Sequence, residues 1–491
     1  MRFALRINNV MMITLLITGA LSTSAFEMRM ASDRLTIHAE NIPLRDLLAQ
    51  FQETGVLVAM DDRINPLVTA NFENREIGDG VKRLLADCDY ALTWQTIDGP
   101  AGKMRRIAEI LVYKPGNRRP LTPLPATSPQ TRTIHTNNVN CLRNEILLRL
   151  RPGTTKEQFL ALLLETRTTV LDGIPALGLY RLHFPPDADL ADLLNTLAKN
   201  PLVDRAEPNL VYRSFSPVKS QGQETPGILR TLTTAGVGPS VAILDSGFSP
   251  SEALEKAVVA TLDATTPGQP ISDPVGHGTQ MAFIASGAVT PDGVDSTQDS
   301  RAVSIIPIRT MDDKGITSGF SLMQSMIFAL DHGARVINMS WGSDADSGFF
   351  NEAMGYTLQR GAVLVAAAGN EPTGLPLYPA ALPGIIAVAA LAPDGTLWNQ
   401  SNYGPFVKLA APGFANLPTG YKGPPGTYGG TSIAAAYTAR VIAQYFTTHP
   451  AASATEAIGA LNQALTHSPT GITHPEIPHL DNKAVSAFLT K

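Results

Sequence analysis

Four polar residues in the second half of the chain are of the types that nucleophilic catalysis uses: Asp245, His277, Asn370 and Ser432. A serine hydroxyl becomes an effective nucleophile when a neighbouring base takes its proton, and a third group usually orients that base. A side-chain amide can donate a hydrogen bond to an oxygen that gains negative charge during the reaction. The four residue types together indicate acyl transfer through a serine, provided that the fold brings them together.

Each of the four residues also has an ordinary structural explanation. Ser432 precedes the alanine-rich run 433–446, which lacks glycine and proline, so we expect a helix with Ser432 in its first turn, where serine is a common cap. Asp245 follows an apolar strand, where aspartate usually starts a turn. His277 stands between two glycines at a helix start, and Asn370 follows a glycine, as turn residues do. No single residue therefore establishes a site.

The sequence around these residues alternates apolar strands with helices. The predicted strands are Val241–Leu244, Val303–Ile308, Val336–Met339, Ala362–Ala366 and Ile385–Ala389. Apolar strands separated by helices indicate a parallel sheet covered by helices on both faces. Chemistry in such sheets lies beyond the carboxyl ends of the strands. Asp245 and Asn370 follow such ends directly, and His277 lies before a predicted helix at 280–288.

Short segments around these residues resemble the motif set of subtilisin-like serine peptidases. The segments are Leu244–Gly247, His277–Thr279, Asn338–Gly342, Ala368–Asn370 and Gly430–Ala434. The resemblance runs from about residue 227 to the end of the chain. It implies an α/β subtilisin-like fold for residues 227–491, with two small α/β modules before it, and the activity of a serine endopeptidase.

The resemblance also implies a role for each residue. Ser432 would attack the scissile carbonyl, His277 would take and later return the proton, and Asp245 would orient His277. Asn370, with the backbone N–H of Ser432, would hold the oxyanion. The cleft would pair with the substrate as an added strand. The substrate-binding residues that it implies are Ser340, Trp341 and Gly342.

The sequence departs from the family pattern at three positions. Gln280 replaces the customary histidine after the His277 motif, and Ala436 and Tyr437 replace the customary Pro-His pair after Ser432. These residues carry none of the transferred protons. The chain has no clear acidic loop for the structural calcium that many relatives bind, so we predict no metal ligand and no cofactor, and structural calcium stays an alternative that the sequence does not indicate.

Residues 140–213 have the pattern of a small α/β module. The predicted elements are a strand at Glu145–Leu150, a capped helix from Thr155 to Leu164, a strand at Gly178–His183, a helix at Asp189–Ala198, and extended segments at Val203–Glu207 and Leu210–Arg213. This βαβαβ order resembles the inhibitory propeptide of the same peptidases. The resemblance implies a zymogen that cuts itself between Arg213 and Gly227, in a linker at 214–226. The alternative is a domain that stays attached.

Residues 34–113 form another predicted α/β module. Its elements are strands at Leu35–His38, Val56–Val58, Val68–Phe72 and Tyr90–Thr96, and helices at Pro43–Thr54 and Ile77–Leu85. The segments Ile42-Pro-Leu and Gly80-Val-Lys-Arg-Leu-Leu resemble the short N-terminal domain of secretins and TonB-dependent receptors. That resemblance implies a module that binds an envelope protein of a Gram-negative bacterium. A generic two-layer domain is the alternative, and a proline-rich linker at 114–139 follows in either case.

Composition and the first residues limit the remaining possibilities. The chain has 491 residues, 44% apolar and 16% charged, which fits a globular protein of about three domains. Its net charge of −5 gives no reason to expect a nucleic-acid partner. Residues 1–25 have a basic start, an apolar core and small residues at the end, as a cleaved secretory signal does, and no later segment is predicted to span a membrane. Cys88 and Cys141 could form one disulfide or remain two thiols.

Two functions of different classes fit these features. The first is an exported serine endopeptidase, in the periplasm or outside the cell, made as an autoprocessed zymogen. Its partners would be a protein or peptide substrate, its own propeptide and an envelope protein bound through residues 34–113. The second is a catalytically weak peptidase-fold protein that serves signalling or binding in the bacterial envelope. The presence of all four site residues favours the first, because a binding module needs no such set.

Overall fold

A computed structural model describes residues 26–31, 33–116, 120–124, 133–136, 139–219, 229–230, 232, 238–266, 268–295, 302–467, 474 and 476–490. The predicted signal at 1–25 and most of the predicted linker at 214–226 lie outside the described residues. The chain divides into two units. The first takes in the described residues within Met1–Gln95 and Ile107–Ala126, and the second those within Thr96–Arg106 and Thr127–Lys491.

Two sheets and two helices build the first unit. Its elements are β1 (Phe26–Ala31), β2 (Arg34–Pro43), α1 (Leu44–Glu53), β3 (Leu57–Met60), β4 (Leu67–Glu76), α2 (Ile77–Leu84), β5 (Asp89–Ile97), β6 (Met104–Tyr113) and β7 (Thr122–Pro123). The sheets have the orders β1-β2-β4 and β5-β6-β3-β7, and the end of β5 and the start of β6 fall within Thr96–Arg106, which is counted with the second unit. The buried face of α1 is the predicted one, with Leu44, Leu47, Leu48 and Phe51. Sequence reasoning missed β1, β6 and β7. In β6 the charged Arg105, Arg106 and Glu109 interrupt the apolar pattern.

The second unit begins with an antiparallel sheet and two helices. Its elements are β8 (Thr133–Thr136), β9 (Val139–Leu150), α3 (Lys156–Glu165), β10 (Thr169–Ile174), β11 (Leu179–His183), α4 (Leu190–Lys199) and β12 (Val203–Ser214). The strand order is β10-β11-β9-β12, with β8 paired to β9. Thr155 begins α3 with the predicted capping box, and Asp189 caps α4.

Three details of this module differ from the sequence prediction. The order βαβαβ is wrong, because β10 adds a strand whose Asp172 and Gly173 resemble turn residues in the sequence. The two extended segments at its end are one strand, β12, and the pairing of β12 shifts after Pro208, a residue that has no N–H to donate. The predicted linker at 114–139 contains the strands β7 and β8.

A seven-stranded parallel sheet is the centre of the rest of the second unit. The elements are β13 (Val218–Lys219), β14 (Ser240–Asp245), β15 (Leu262–Asp263), α5 (His277–Ser286), β16 (Ser304–Arg309), β17 (Ile316–Ser318), α6 (Gly319–Asp331), β18 (Ala334–Met339), β19 (Trp341–Gly342), α7 (Gly348–Gln359), β20 (Val363–Ala367), β21 (Ile385–Leu391), β22 (Leu409–Pro412), β23 (Phe414–Leu417), β24 (Gly426–Gly429), α8 (Thr431–Thr448), α9 (Ala454–Ala464) and α10 (Asn482–Leu489). The order in the sheet is β15-β16-β14-β18-β20-β21-β22. The predicted fold class is confirmed, and β15 and β22 extend the sheet beyond the predicted strands.

Helices cover both faces of this sheet. Side chains of α5 and α8 pack on one face and those of α6 and α7 on the other. Helix α8 is buried without interruption from Thr431 to Phe446, and its alanines allow the close approach to the strands that a central helix needs. No helix among the described residues has the length and apolar character required to cross a membrane. Cys88 and Cys141 are both free thiols.

Candidate active site

Asp245 and His277 are joined by a short, buried hydrogen bond. Asp245 is the last residue of β14, and His277 is the first residue of α5. His277 Nδ1 lies 2.7 Å from Asp245 Oδ1, and both side chains are fully buried. The same carboxylate oxygen accepts the N–H of Ser246 at 2.6 Å, which fixes the rotamer of Asp245. The strand end and the helix start that the sequence predicted therefore place a carboxylate against an imidazole.

The environment of His277 favours its protonated form. Burial opposes the positive charge of the imidazolium and would lower the pKa. The charge of Asp245 and its hydrogen bond act in the other direction, and Asp273 adds a further attraction. The net effect is a pKa of His277 raised above its ordinary value of 6.5.

Asp273 holds the start of α5, a function that sequence reasoning did not find. Its Oδ1 accepts the hydroxyl of Ser246 and the N–H of Gly276, each at 2.8 Å. Its Oδ2 accepts the N–H and the hydroxyl of Thr279 at 2.8 and 2.6 Å. One carboxylate thus ties the residue after Asp245 to the residues on both sides of His277. The signal in the sequence was an aspartate a few residues before a helix, where a carboxylate satisfies free N–H groups.

Asn370 has a fixed orientation. Its Oδ1 accepts the N–H of Thr431 at 2.9 Å and the hydroxyl of Thr431 at 2.8 Å. With the oxygen held by two donors, the amide nitrogen must point the other way. Asn370 Nδ2 donates to the carbonyl oxygen of Ser216 at 3.0 Å. The sequence prediction assigned no role to Thr431, although it directly precedes Ser432.

Ser432 lies in the first turn of α8, as predicted. The N-cap position belongs to Gly430, and among the described residues Ser432 Oγ has no hydrogen-bond partner although it is buried. The helix-cap explanation of Ser432 is therefore wrong. His277 Nε2 is likewise buried and unpartnered within the described part of the chain. Ala436 and Tyr437 are buried within α8, which continues unbroken beyond them.

The end of β12 and the residues after it occupy the groove next to these side chains. We call Arg213–Lys219 the cleft segment. It pairs antiparallel with β19 and, through Val218 and Lys219, with β24, which leads into Ser432. Between these pairings, the carbonyl of Ser216 faces Asn370. The chain therefore lays its own backbone across the site as an added strand.

The predicted cleft residues meet this segment through their backbone. Ser340 accepts the N–H of Phe215 at 3.3 Å, and Gly342 pairs with Arg213. The side chain of Trp341 is fully buried and donates from Nε1 to the carbonyl of Leu244 at 3.0 Å. The backbone of Ser340–Gly342 therefore forms one edge of the cleft. The buried indole of Trp341 anchors that edge to the carbonyl of Leu244.

The propeptide-like module docks on the starts of α6 and α7. Glu207 accepts the hydroxyl of Ser347 at 2.9 Å and the N–H of Phe349 at 3.4 Å, at the first turn of α7. Asn209 accepts the N–H of Phe320 at 3.2 Å, at the first turn of α6. Both side chains thus satisfy N–H groups that a helix start leaves unpaired. These contacts fix the direction in which β12 enters the cleft.

Within the described parts of the chain, no group of three or more His, Cys, Asp or Glu side chains is arranged to hold a metal ion.

Comparison with known proteins finds matches for both parts of the second unit. Residues 236–483 match the model of the Subtilase family, and residues 129–209 match the Fervidolysin N-terminal prodomain. A thermophilic serine proteinase of Bacillus sp. (strain AK1) is 31% identical over 231 residues, which cover 45% of this chain and 57% of that enzyme. Thermitase of Thermoactinomyces vulgaris is 31% identical over 242 residues, covering 48% of this chain and 82% of thermitase.

A solved structure has the same fold. The crystal structure of fervidolysin from Fervidobacterium pennivorans, a keratinolytic enzyme related to subtilisin, aligns with a TM-score of 0.58 at 21% identity. The alignment covers 71% of this chain and 61% of that one. The family match spans the sheet, its helices and all four predicted site residues. The chain therefore belongs to the subtilase family of subtilisin-like serine peptidases.

Proposed function

We propose that the protein is an exported serine endopeptidase, made as a zymogen that cuts its own cleft segment. One observation carries the proposal: the carbonyl of Ser216 accepts a hydrogen bond from Asn370 at 3.0 Å, beside the buried pair of Asp245 and His277. A carbonyl at this amide lies where an oxyanion donor acts. The same segment pairs with the cleft on both sides, which is how a peptide substrate binds by strand addition.

In the proposed reaction, Ser432 Oγ attacks the carbonyl carbon while His277 Nε2 takes the hydroxyl proton. Asp245 holds the proton on His277 Nδ1, which leaves Nε2 free as the base. The carbonyl oxygen becomes an oxyanion that accepts hydrogen bonds from Asn370 Nδ2 and the N–H of Ser432. His277 then gives its proton to the leaving nitrogen, and water repeats the sequence on the acyl-enzyme.

The proposal is tested with a fluorophosphonate probe, which forms a covalent bond to an activated serine. The full chain and its Ser432→Ala variant are expressed side by side. We expect the wild-type chain to be labelled on Ser432 and cut between Ser216 and Pro217, which leaves Pro217 as the new N-terminus, because the carbonyl of Ser216 belongs to that bond. A wild-type chain that stays full length and unlabelled would instead support the peptide-binding alternative. N-terminal sequencing of the exported precursor is expected to show Phe26 as its first residue, after removal of residues 1–25.

Asn370→Ala is expected to slow processing by about 10²–10³-fold, the loss known for this donor in subtilisin. The exchange removes the amide that faces Ser216, and with it the oxygen that accepts the N–H and hydroxyl of Thr431. The measurement is the first-order rate at which the full chain is cut after refolding by dilution, followed by intact mass. Asn402→Ala is unsuitable as a control because Asn402 braces Ala368 and Leu375. The half-buried Asn351, which donates to Asp346, is suitable, and Asn351→Ala should process within twofold of the wild-type rate.

The pH dependence of processing is expected to follow His277. The base must be neutral, and its pKa is raised, so the rate should rise with pH and reach half its plateau above pH 6.5. Asp273→Asn removes one of the attractions that favour the imidazolium, and it should move this midpoint to lower pH. The measurement is the processing rate between pH 5 and pH 9. A midpoint below 6.5 in the wild type would contradict this assignment of the base.

The first unit is proposed to bind a protein of the Gram-negative envelope. The proposal is supported by two large apolar side chains that the unit leaves open to solvent, Leu57 and Leu67, which are 64% and 65% exposed. The test compares the full chain with a Leu57→Ser/Leu67→Ser variant in cell fractionation. We expect the wild type to remain with the envelope and the variant to enter the soluble fraction, with equal processing rates. Equal distribution of the two proteins would argue against binding through these two leucines.

A further inference from the structure

A loop over the rim of the cleft, which we call the Tyr421 loop (Thr419–Lys422), is held in place by a residue that departs from the family pattern. Gln280 is fully buried and donates from Nε2 to the carbonyl of Thr419 at 2.9 Å. On the other side of the loop, the N–H of Lys422 donates to the carbonyl of Val275 at 3.0 Å. The loop is therefore attached to α5 and to the residues before it, which also carry His277.

The loop directs Tyr421 at two parts of the site. Its ring stands edge-on to that of His277, with centroids 6.1 Å apart and an interplanar angle of 85°. Its hydroxyl lies 3.0 Å from the hydroxyl of Ser216. The carbonyl of the same serine faces Asn370. Ser216 of the cleft segment thus contacts Asn370 through its backbone carbonyl and Tyr421 through its side chain.

The position before Ser216 is occupied by an aromatic side chain. Phe215 lies against Gly342, where an added Cβ would come within 2.7 Å of the Phe215 ring. A glycine is therefore required there if the ring is to stay. The cleft therefore holds an aromatic residue, Phe215, followed by Ser216, whose side chain contacts Tyr421.

We propose that Tyr421 is a specificity-determining residue that selects a small hydroxyl side chain, serine or threonine, directly after a large apolar one. This inference rests on the proposed function. A hydroxyl at 3.0 Å from the phenol can donate to it or accept from it. At this separation a longer side chain would require the tyrosine to move. Gln280 takes part indirectly, because it positions the Tyr421 loop.

The test uses a matched pair of substitutions in the full chain. Threonine and valine have nearly the same shape and differ in the hydroxyl, so Ser216→Thr and Ser216→Val isolate the contact. Processing rates of both are measured by intact mass, each with Tyr421 present and with Tyr421→Phe. With Tyr421, Ser216→Thr is expected to process about fivefold faster than Ser216→Val, the effect of one hydrogen bond of average strength. With Tyr421→Phe this ratio should fall to about one.

Controls separate the possible results. Tyr356→Phe removes another tyrosine hydroxyl, one that accepts from Arg360 away from the cleft, and should leave the ratio at about five. A ratio that is the same with Tyr421 and with Tyr421→Phe would overturn the inference, while processing itself continued. If no variant were processed and Ser432 took up no probe, the proposed function would fail instead. Because Tyr421→Phe keeps the aromatic ring, we expect this variant to fold. Its thermal unfolding is compared with that of Tyr356→Phe to check this.

Discussion

Exchange of Ser432 for alanine is expected to leave the chain full length, with processing slowed on the order of 10⁶-fold, the loss known for removal of the nucleophile in subtilisin. The same exchange should leave the folded state as stable as before. Ser432 Oγ is buried without a partner among the described residues, so its removal breaks no hydrogen bond there. Removing an unsatisfied buried hydroxyl is close to neutral for stability. Ser432→Ala should therefore abolish processing without changing the free energy of unfolding.

The rate is measured by intact mass after refolding, and stability by urea unfolding at pH 5, where protonation of His277 slows the cutting of every chain. Ser325→Ala is a matched control, because Ser325 is a buried helical serine whose hydroxyl donates to the carbonyl of Ser321 at 2.7 Å. It should process at the wild-type rate and lose about 1 kcal/mol of unfolding free energy with its hydrogen bond. Processing of Ser432→Ala at more than a thousandth of the wild-type rate would exclude Ser432 as the nucleophile.

Much of the parallel sheet could be predicted because its signals are local. Strands such as Val336–Met339 are short apolar runs, and Asp245 and Asn370 follow strand ends directly. The carboxyl ends of parallel strands share one edge, so these residues had to be near one another. The structure adds the distance between Asp245 and His277, whose side chains form a hydrogen bond of 2.7 Å. The positions of the two residues in the sequence do not determine that distance.

The contacts that were missed join residues far apart in the chain. Thr431 orients Asn370 across 61 positions, and Tyr421 reaches Ser216 across 205. Neither contact leaves a local pattern, because a tyrosine in a loop rich in glycine and proline resembles any surface residue. Strand β10 was missed for the opposite reason. Its Asp172 and Gly173 are strong turn residues, but pairing with β11 outweighs that local preference.

Asp245→Asn is expected to slow processing by about 10⁴-fold, as the corresponding exchange does in other triad enzymes. The amide of asparagine can donate to His277 Nδ1 across the present 2.7 Å, which places the imidazole proton on Nε2. A protonated Nε2 could no longer take the proton of Ser432 in the proposed reaction. Geometry would survive while the tautomer changed, so labelling of Ser432 by the fluorophosphonate should fall together with processing.

Asp263→Asn provides the matched control for loss of a buried carboxylate at a strand end. Asp263 is 4% exposed, ends β15, and accepts hydrogen bonds from Thr265 and Arg309. Its exchange weakens a largely buried ion pair with Arg309 and leaves His277 untouched, so processing should stay within a few-fold of wild type. If Asp263→Asn slowed the chain as much as Asp245→Asn, the loss would reflect disturbed packing of the sheet. The two variants remove the same charge from equivalent places in the fold. A large loss of processing in Asp245→Asn alone would therefore show that the loss comes from the changed tautomer of His277.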